Sequence, residues 1–161
     1  MTRPADEHTD TYLPHRQILA VLSGLMAGMF LAALDQSIVG TALPSIVSDL
    51  GGLDHLSWVV TAYLLTSTAS MPLWGQISEL YGRRPMFQAA IVVFLVGSLV
   101  AGAAGSMGVL IGGRAVQGLG AGGLIALALS TIGDVIPPRE RGRYQGYFAA
   151  VFGVSSVAGP L

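Results

Sequence analysis

RAVQGLGAGG, Arg114 to Gly123, is the stretch on which the fold turns. Gly118, Gly120 and Gly123 keep the G-x-G-x-x-G spacing of a dinucleotide-binding loop. The same letters also suit a membrane helix with small packing faces and an arginine buried on it. The first reading needs a strand ahead of the loop, a βαβ unit around it and an acidic residue about 20 positions further on. Here MGVLIGG (107–113) precedes the stretch and LIALALSTIG (124–133) follows it, making one apolar run of spanning length. Asp134 comes too early for the ribose-binding acid and closes a helix instead. The stretch therefore reads as a helix in lipid, with Gly118, Gly122 and Gly123 on faces that let a neighbour approach closely.

The rest of the chain agrees. Of 161 residues, 52% are hydrophobic and 11% charged, against about 25% charged in an average soluble domain. Four more apolar runs flank the fourth one, so the candidate spans cover about 18–39, 58–77, 86–105, 109–132 and 143–161. Each has roughly the 20 residues that cross a hydrocarbon core. Five spans leave no room for a water-soluble domain. The fold class is an all-α membrane protein in contact with the lipid bilayer. Residues 1–16 read as a polar tail, disordered over its first fifteen residues; no charged region leads there into a cleavable apolar segment. Residues 17–161 form the membrane domain.

There is no Cys and no Lys, and the formal net charge is −1. Disulfides and thiolate chemistry are thus excluded, and nothing points to a nucleic-acid partner. His8, His15 and His55 lie in loops and form no metal cluster. No Ser-His-Asp or Cys-His arrangement and no G-x-S-x-G elbow is present, so the chain does not read as an enzyme. Trp58 reads as an interfacial anchor.

Loop charges set the orientation. Arg3 and Arg16 precede span 1, Arg83 and Arg84 separate spans 2 and 3, and Arg139, Arg141 and Arg143 separate spans 4 and 5. The 1–2 loop, read as GTALPSIVSDLGGLDHLS, has no Arg. By the positive-inside bias the N-terminus is cytoplasmic and the protein is multi-pass in the cell membrane.

Arg114 is the exception to that surface pattern. A guanidinium facing lipid costs a few kcal/mol or more, so it requires a protein interior or water cavity and a partner. Asp35 is the one carboxylate well inside another span. It lies about 28 Å along span 1 from the cytoplasmic side, and Arg114 lies about 30 Å above the cytoplasmic end of span 4. Both fall in the outer half and fit one cavity. The other reading makes Asp35 a cap at the outer interface, with span 1 ending early.

GQISELYGRRPMF (75–87) resembles the span 2–3 loop motif of the major facilitator superfamily. Gly75, Gly82, Arg83 and Arg84 fit in register, with Glu79 where Asp is usual and Ile77 where Leu is frequent. LDQSIVGTALP (34–44) resembles the span-1 motif of the fourteen-span drug:proton antiporters. RAVQGLGAGG is similar to the span-4 motif of proton-coupled members, with Arg114, Gln117 and Gly118 in place. GYFAAVFGVSSVAGP (146–160) is similar to the span-5 antiporter motif of exporters: Gly146, Gly159 and Pro160 fit, and Ser155 replaces one of its glycines.

The resemblance implies a major facilitator fold whose N-terminal bundle is incomplete here, with the remaining helices of the transporter outside this sequence. It implies a transmembrane transporter for proton-coupled export, or antiport, of drugs or other small lipophilic molecules. The proton gradient is the energy source and no cofactor is needed. Asp35, Arg114 and Gln117 become the proton and substrate coupling residues. Gly75, Glu79, Gly82, Arg83, Arg84 and Asp134 become a conformational gate, with Arg83 and Arg84 pairing to Glu79 or Asp134; plain topology is the other reading of those arginines. Gly159-Pro160 becomes a kink that seals one side of the cavity, or ordinary packing. Two other functions stay open: a truncated or auxiliary membrane protein with no transport of its own, and an importer of metabolites.

Overall fold

The computed structural model describes residues 15–51, 53–136 and 138–159. The polar lead and Pro160 lie outside those residues. Five α-helices follow one another: α1 His15–Leu50, α2 Leu56–Tyr81, α3 Arg83–Gly102, α4 Met107–Val135 and α5 Arg141–Ala158. A single 3-10 turn, Leu53–His55, joins α1 to α2.

The first span differs from its sequence reading. Residues 40–50 were expected in a loop, yet α1 runs unbroken to Leu50 with Pro44 inside it. Packing carries the helix on: Leu43 and Val47 pack with Val59 of α2 and Leu110 of α4. In lipid a peptide group outside a helix has no water to bond, so the helix continues past Pro44. The helix stops at Gly51, whose φ of +63° is the left-handed turn that ends a helix cheaply only at glycine.

The α2–α3 connection is one residue. Gly82 adopts φ +91° and returns its N–H to the Ser78 carbonyl at 3.0 Å. A side chain is strained at that φ, so the glycine of the 2–3 motif is dictated by the backbone. Pro85 follows in the first turn of α3, where its missing N–H costs nothing. At the other end, Ser106 caps α4 by accepting the Val109 N–H at 3.4 Å.

α4 is the central helix. It packs along both α2 and α3, while α1 lies on α4 and α5. The glycines of α4 permit this. A Cβ at Gly118 would strike the Tyr63 carbonyl and Thr66 hydroxyl of α2, and one at Gly122 would strike Ser67 and Ser70. On the opposite side, Gly113 abuts the Ala101 backbone of α3 and Gly120 abuts Phe94. Gly123 leaves room for the Trp74 ring and Ala90. Trp74 Nε1 (2.9 Å) and Ser70 Oγ (3.3 Å) both donate to the Leu119 carbonyl, stitching α2 to α4. Small residues and interhelical hydrogen bonds are what hold helices together where surrounding lipid is as apolar as the side chains.

α1, α3 and α4 each have the length and apolarity to cross a membrane, over Leu22–Leu50, Arg83–Gly102 and Met107–Val135. α2 is long enough but carries Thr61, Thr66, Ser67, Thr68 and Ser70, which lower its hydropathy. α5 begins with Arg141 and Arg143 and is the shortest of the five.

Candidate functional site

Arg114 is 1% exposed, on the face of α4 turned toward α1. Its Nη1 donates to Asp35 Oδ2 at 2.7 Å and to Gln117 Oε1 at 2.7 Å. Its Nη2 donates to Gln36 Oε1 at 2.8 Å. The guanidinium carbon lies 4.3 Å from the centroid of the Tyr63 ring, a cation–π contact from α2. One charge is thus held by a carboxylate, two amide oxygens and a ring face, drawn from three helices. Nε alone of its nitrogens has no partner among the described residues.

The local fold explains each position. Gln117 follows Arg114 by three residues and shares its helix face. Gly97 of α3 has no side chain because the Gln117 backbone occupies the place of its Cβ. Asp35 lies in mid-helix with α1 continuing beyond it to Leu50, so it is not a terminal cap. Its side chain is 18% exposed, which leaves it open to a cavity of about 150 Å³ lined by Asp35, Val39, Leu43, Ile46, Ser98, Ala101, Gly102, Leu110, Arg114 and Gln117. Removing either partner of such a buried pair costs about 3–5 kcal/mol, because the other charge is left uncompensated.

The second ion pair sits at the other end of the bundle. Arg83, first residue of α3, bonds Asp134 near the end of α4 at 2.5 Å. Nearby, Arg141 donates from Nε to the Ile136 carbonyl at 3.1 Å and from Nη2 to the Gly133 carbonyl at 2.5 Å. Those are unsatisfied carbonyls at the negative end of the α4 dipole, where a cation is favourable. The gate residues expected from sequence are only partly united. Glu79 and Arg84 are exposed and make no ion pair among the described residues, so Arg83 pairs with Asp134 rather than Glu79. The reason is position: Glu79 precedes the one-residue turn on α2, whereas the end of α4 lies against the start of α3. Gly75 and Gly146 have open space around them.

In α5, Ser155 is 1% exposed and its Oγ donates to the Val151 carbonyl at 2.8 Å. Gly159 abuts Ser37, so α5 crosses α1 just beyond Asp35. Among the described residues no group of His, Cys, Asp or Glu is placed to hold a metal.

Sequence reasoning did not place Gln36 or Tyr63 against Arg114. Gln36 had a signal, as an amide beside Asp35 in an otherwise apolar run. Tyr63 had none beyond being a polar-tipped aromatic inside a span.

The family model described as Major Facilitator Superfamily matches residues 25–161. The multidrug resistance protein 3 of Bacillus subtilis is 45% identical over 141 residues, which are 88% of this chain and 28% of that protein. The multidrug transporter protein MdtP of Bacillus subtilis is 44% identical over 140 residues, 87% of this chain and 26% of its own length. The efflux pump FUS6 of Gibberella fujikuroi is 42% identical over 132 residues, 82% of this chain and 24% of its own. The chain thus spans about a quarter of the length of these curated relatives.

Proposed function

The chain belongs to the major facilitator superfamily, and on that premise we propose that it is part of a transporter that exports small lipophilic molecules in exchange for protons. Its setting is the cell membrane, with the Arg-rich end of the bundle cytoplasmic. The relatives' names support export over import. Carriage of drugs by this chain is an extension from those names.

The observation that carries the coupling is the Asp35–Arg114 pair beside a cavity. As a carboxylate, Asp35 ties α1 to the Arg114 guanidinium of α4. A proton from the cavity neutralises Asp35 and deletes that attraction. Arg114 then holds only the neutral amide oxygens of Gln36 and Gln117 and the Tyr63 ring. The α1–α4 tie weakens, and the balance between two packings of the bundle shifts. A proton moves that balance only by as much as it interacts differently with the two states. Linkage makes the effect reciprocal: substrate that favours the ionised, tied state expels the proton. At the cytoplasmic end, Arg83–Asp134 and the Arg141 cap act as a second tie, made in one packing and released in the other.

The test is ethidium efflux from cells expressing the complete gene, with wild type and Asp35→Asn compared at equal membrane levels. Loss of uncoupler-sensitive efflux in Asp35→Asn is expected. Unchanged efflux removes Asp35 from the mechanism.

A further inference from the structure

The cavity beside Asp35 does not end there. Its lining follows α1 outward from Asp35 through Val39 and Leu43 to Ile46, about 16 Å of helix rise. On the facing side it runs from Ser98 to Ala101 and Gly102, the last residue of α3, and along α4 from Gln117 and Arg114 back to Leu110. Gln117, one turn beyond Arg114 on α4, and Ser98, next to the Gly97 that abuts Gln117, lie beside the ion pair or just inside it, and the rest of the lining runs from there to the end of the bundle formed by the α3–α4 turn. By the distribution of arginines that end is the external one.

One polar group on this lining lacks a partner among the described residues. Ser98, half-buried on α3, makes no hydrogen bond through its hydroxyl, whereas Ser70, Ser78 and Ser155 each donate to a carbonyl of their own helix. With the Asp35 carboxylate and the Gln117 amide it supplies the two to four polar contacts that hold an ordered water. A volume of about 150 Å³ is ample for several waters. The outer walls, Val39, Leu43, Ile46 and Leu110, are apolar.

We infer that this cavity is a water-filled inlet by which protons reach Asp35 from the external side between α1, α3 and α4, with Ser98 as a positioning residue for the last water. The inference rests on the proton-coupled reading of Asp35. Ser98 Oγ holds a water against the carboxylate. A hydronium arriving there gives up one O–H bond, Asp35 gains an O–H bond, and a neutral water remains. The positive charge of Arg114 is unchanged and its pull on Asp35 ends. The proton path on this arrangement lies within the bundle, separate from the path of the exported molecule.

The test combines labelling with transport in the protein expressed from its complete gene. This chain has no Cys, so Ser98→Cys and Leu99→Cys each add a single thiol to it, read against the wild-type background. Leu99 is 73% exposed on the outer face of α3. A small water-soluble methanethiosulfonate added from outside should modify Ser98→Cys at least about tenfold faster than Leu99→Cys, because the thiolate that reacts forms only in contact with water. Ethidium should not protect it. Ser98→Ala should slow proton-coupled ethidium export about fivefold, the weight of one neutral hydrogen bond, and Ser98→Thr should restore it. Equal labelling at the two positions, protection of Ser98→Cys by ethidium, or wild-type export in Ser98→Ala each overturns the inlet while leaving Asp35 in place. Retained export in Asp35→Asn overturns the proton reading itself and the inlet with it.

Discussion

Gly120→Ala places the smallest possible side chain against the backbone of a neighbouring helix. The new Cβ would lie 2.6 Å from the Phe94 Cα and 2.8 Å from the Ala90 carbonyl oxygen of α3. Carbon contacts are optimal at about 3.5–4.0 Å, so α3 and α4 must part by roughly 1 Å at this crossing, forfeiting about a quarter to a half of the local dispersion energy. Backbone cannot swing aside as a side chain can. Overpacking of this kind costs about 1–3 kcal/mol, and alanine returns up to about 1 kcal/mol of helix propensity. The net loss is about 1–2 kcal/mol, or roughly 2–8 °C in midpoint for a chain of this size. Gly112→Ala, in the same helix with nothing within 4 Å, is the control; it should be neutral or gain up to about 1 kcal/mol. The assay is thermal unfolding of the detergent-solubilised protein, followed through tryptophan fluorescence, since Trp74 sits against Gly123 in this interface. Equal midpoints for the two variants would refute the close-packed α3–α4 contact.

Three further expectations concern the ties between helices. Arg114→Lys keeps the charge but loses the planar fork, so bonds to Asp35, Gln36 and Gln117 cannot all form; with each charged hydrogen bond worth about 1.5–3 kcal/mol, export should fall at least about tenfold at equal protein levels. Wild-type export in that variant would show that only the charge matters. Gly159→Leu drives a side chain into Ser37 of α1; coupled export should be lost while the protein still inserts, and normal export would dismiss the α1–α5 crossing. Asp134→Asn removes a pair whose side chains are 30% and 57% exposed, so stability should change by no more than about 1 kcal/mol. Thiol labelling of Ser78→Cys, a buried position near the cytoplasmic end of α2, should nevertheless rise when Asp134→Asn is added, and unchanged labelling would deny the pair a gating role.

Much of this was legible in the sequence for reasons of cost. A charge inside a span must find a partner, and Asp35 is the one carboxylate at a matching depth, so Arg114 and Asp35 were expected in one cavity. Their contact was not readable, because the rotation of α1 against α4 is set by packing over the whole length of both helices. The glycines at 118 and 122, four apart, marked a close helix face without saying which helix fills it. Gly113 and Gly120 were passed over, although they face α3 as closely. α1 was read as ending near residue 39, because Leu43 and Val47, which carry it on, act through contacts with α2 and α4. Ser98 gave no signal, since its meaning lies in a cavity made by three helices.

Proton movement itself is the most direct test of the coupling assigned to Asp35. The complete protein is reconstituted in liposomes containing a trapped pH indicator, and ethidium is added under an imposed ethidium gradient. The account predicts proton flux opposite to ethidium in the wild type, and neither proton nor coupled ethidium movement in Asp35→Asn. Ethidium-dependent proton flux of wild-type size through Asp35→Asn would contradict it.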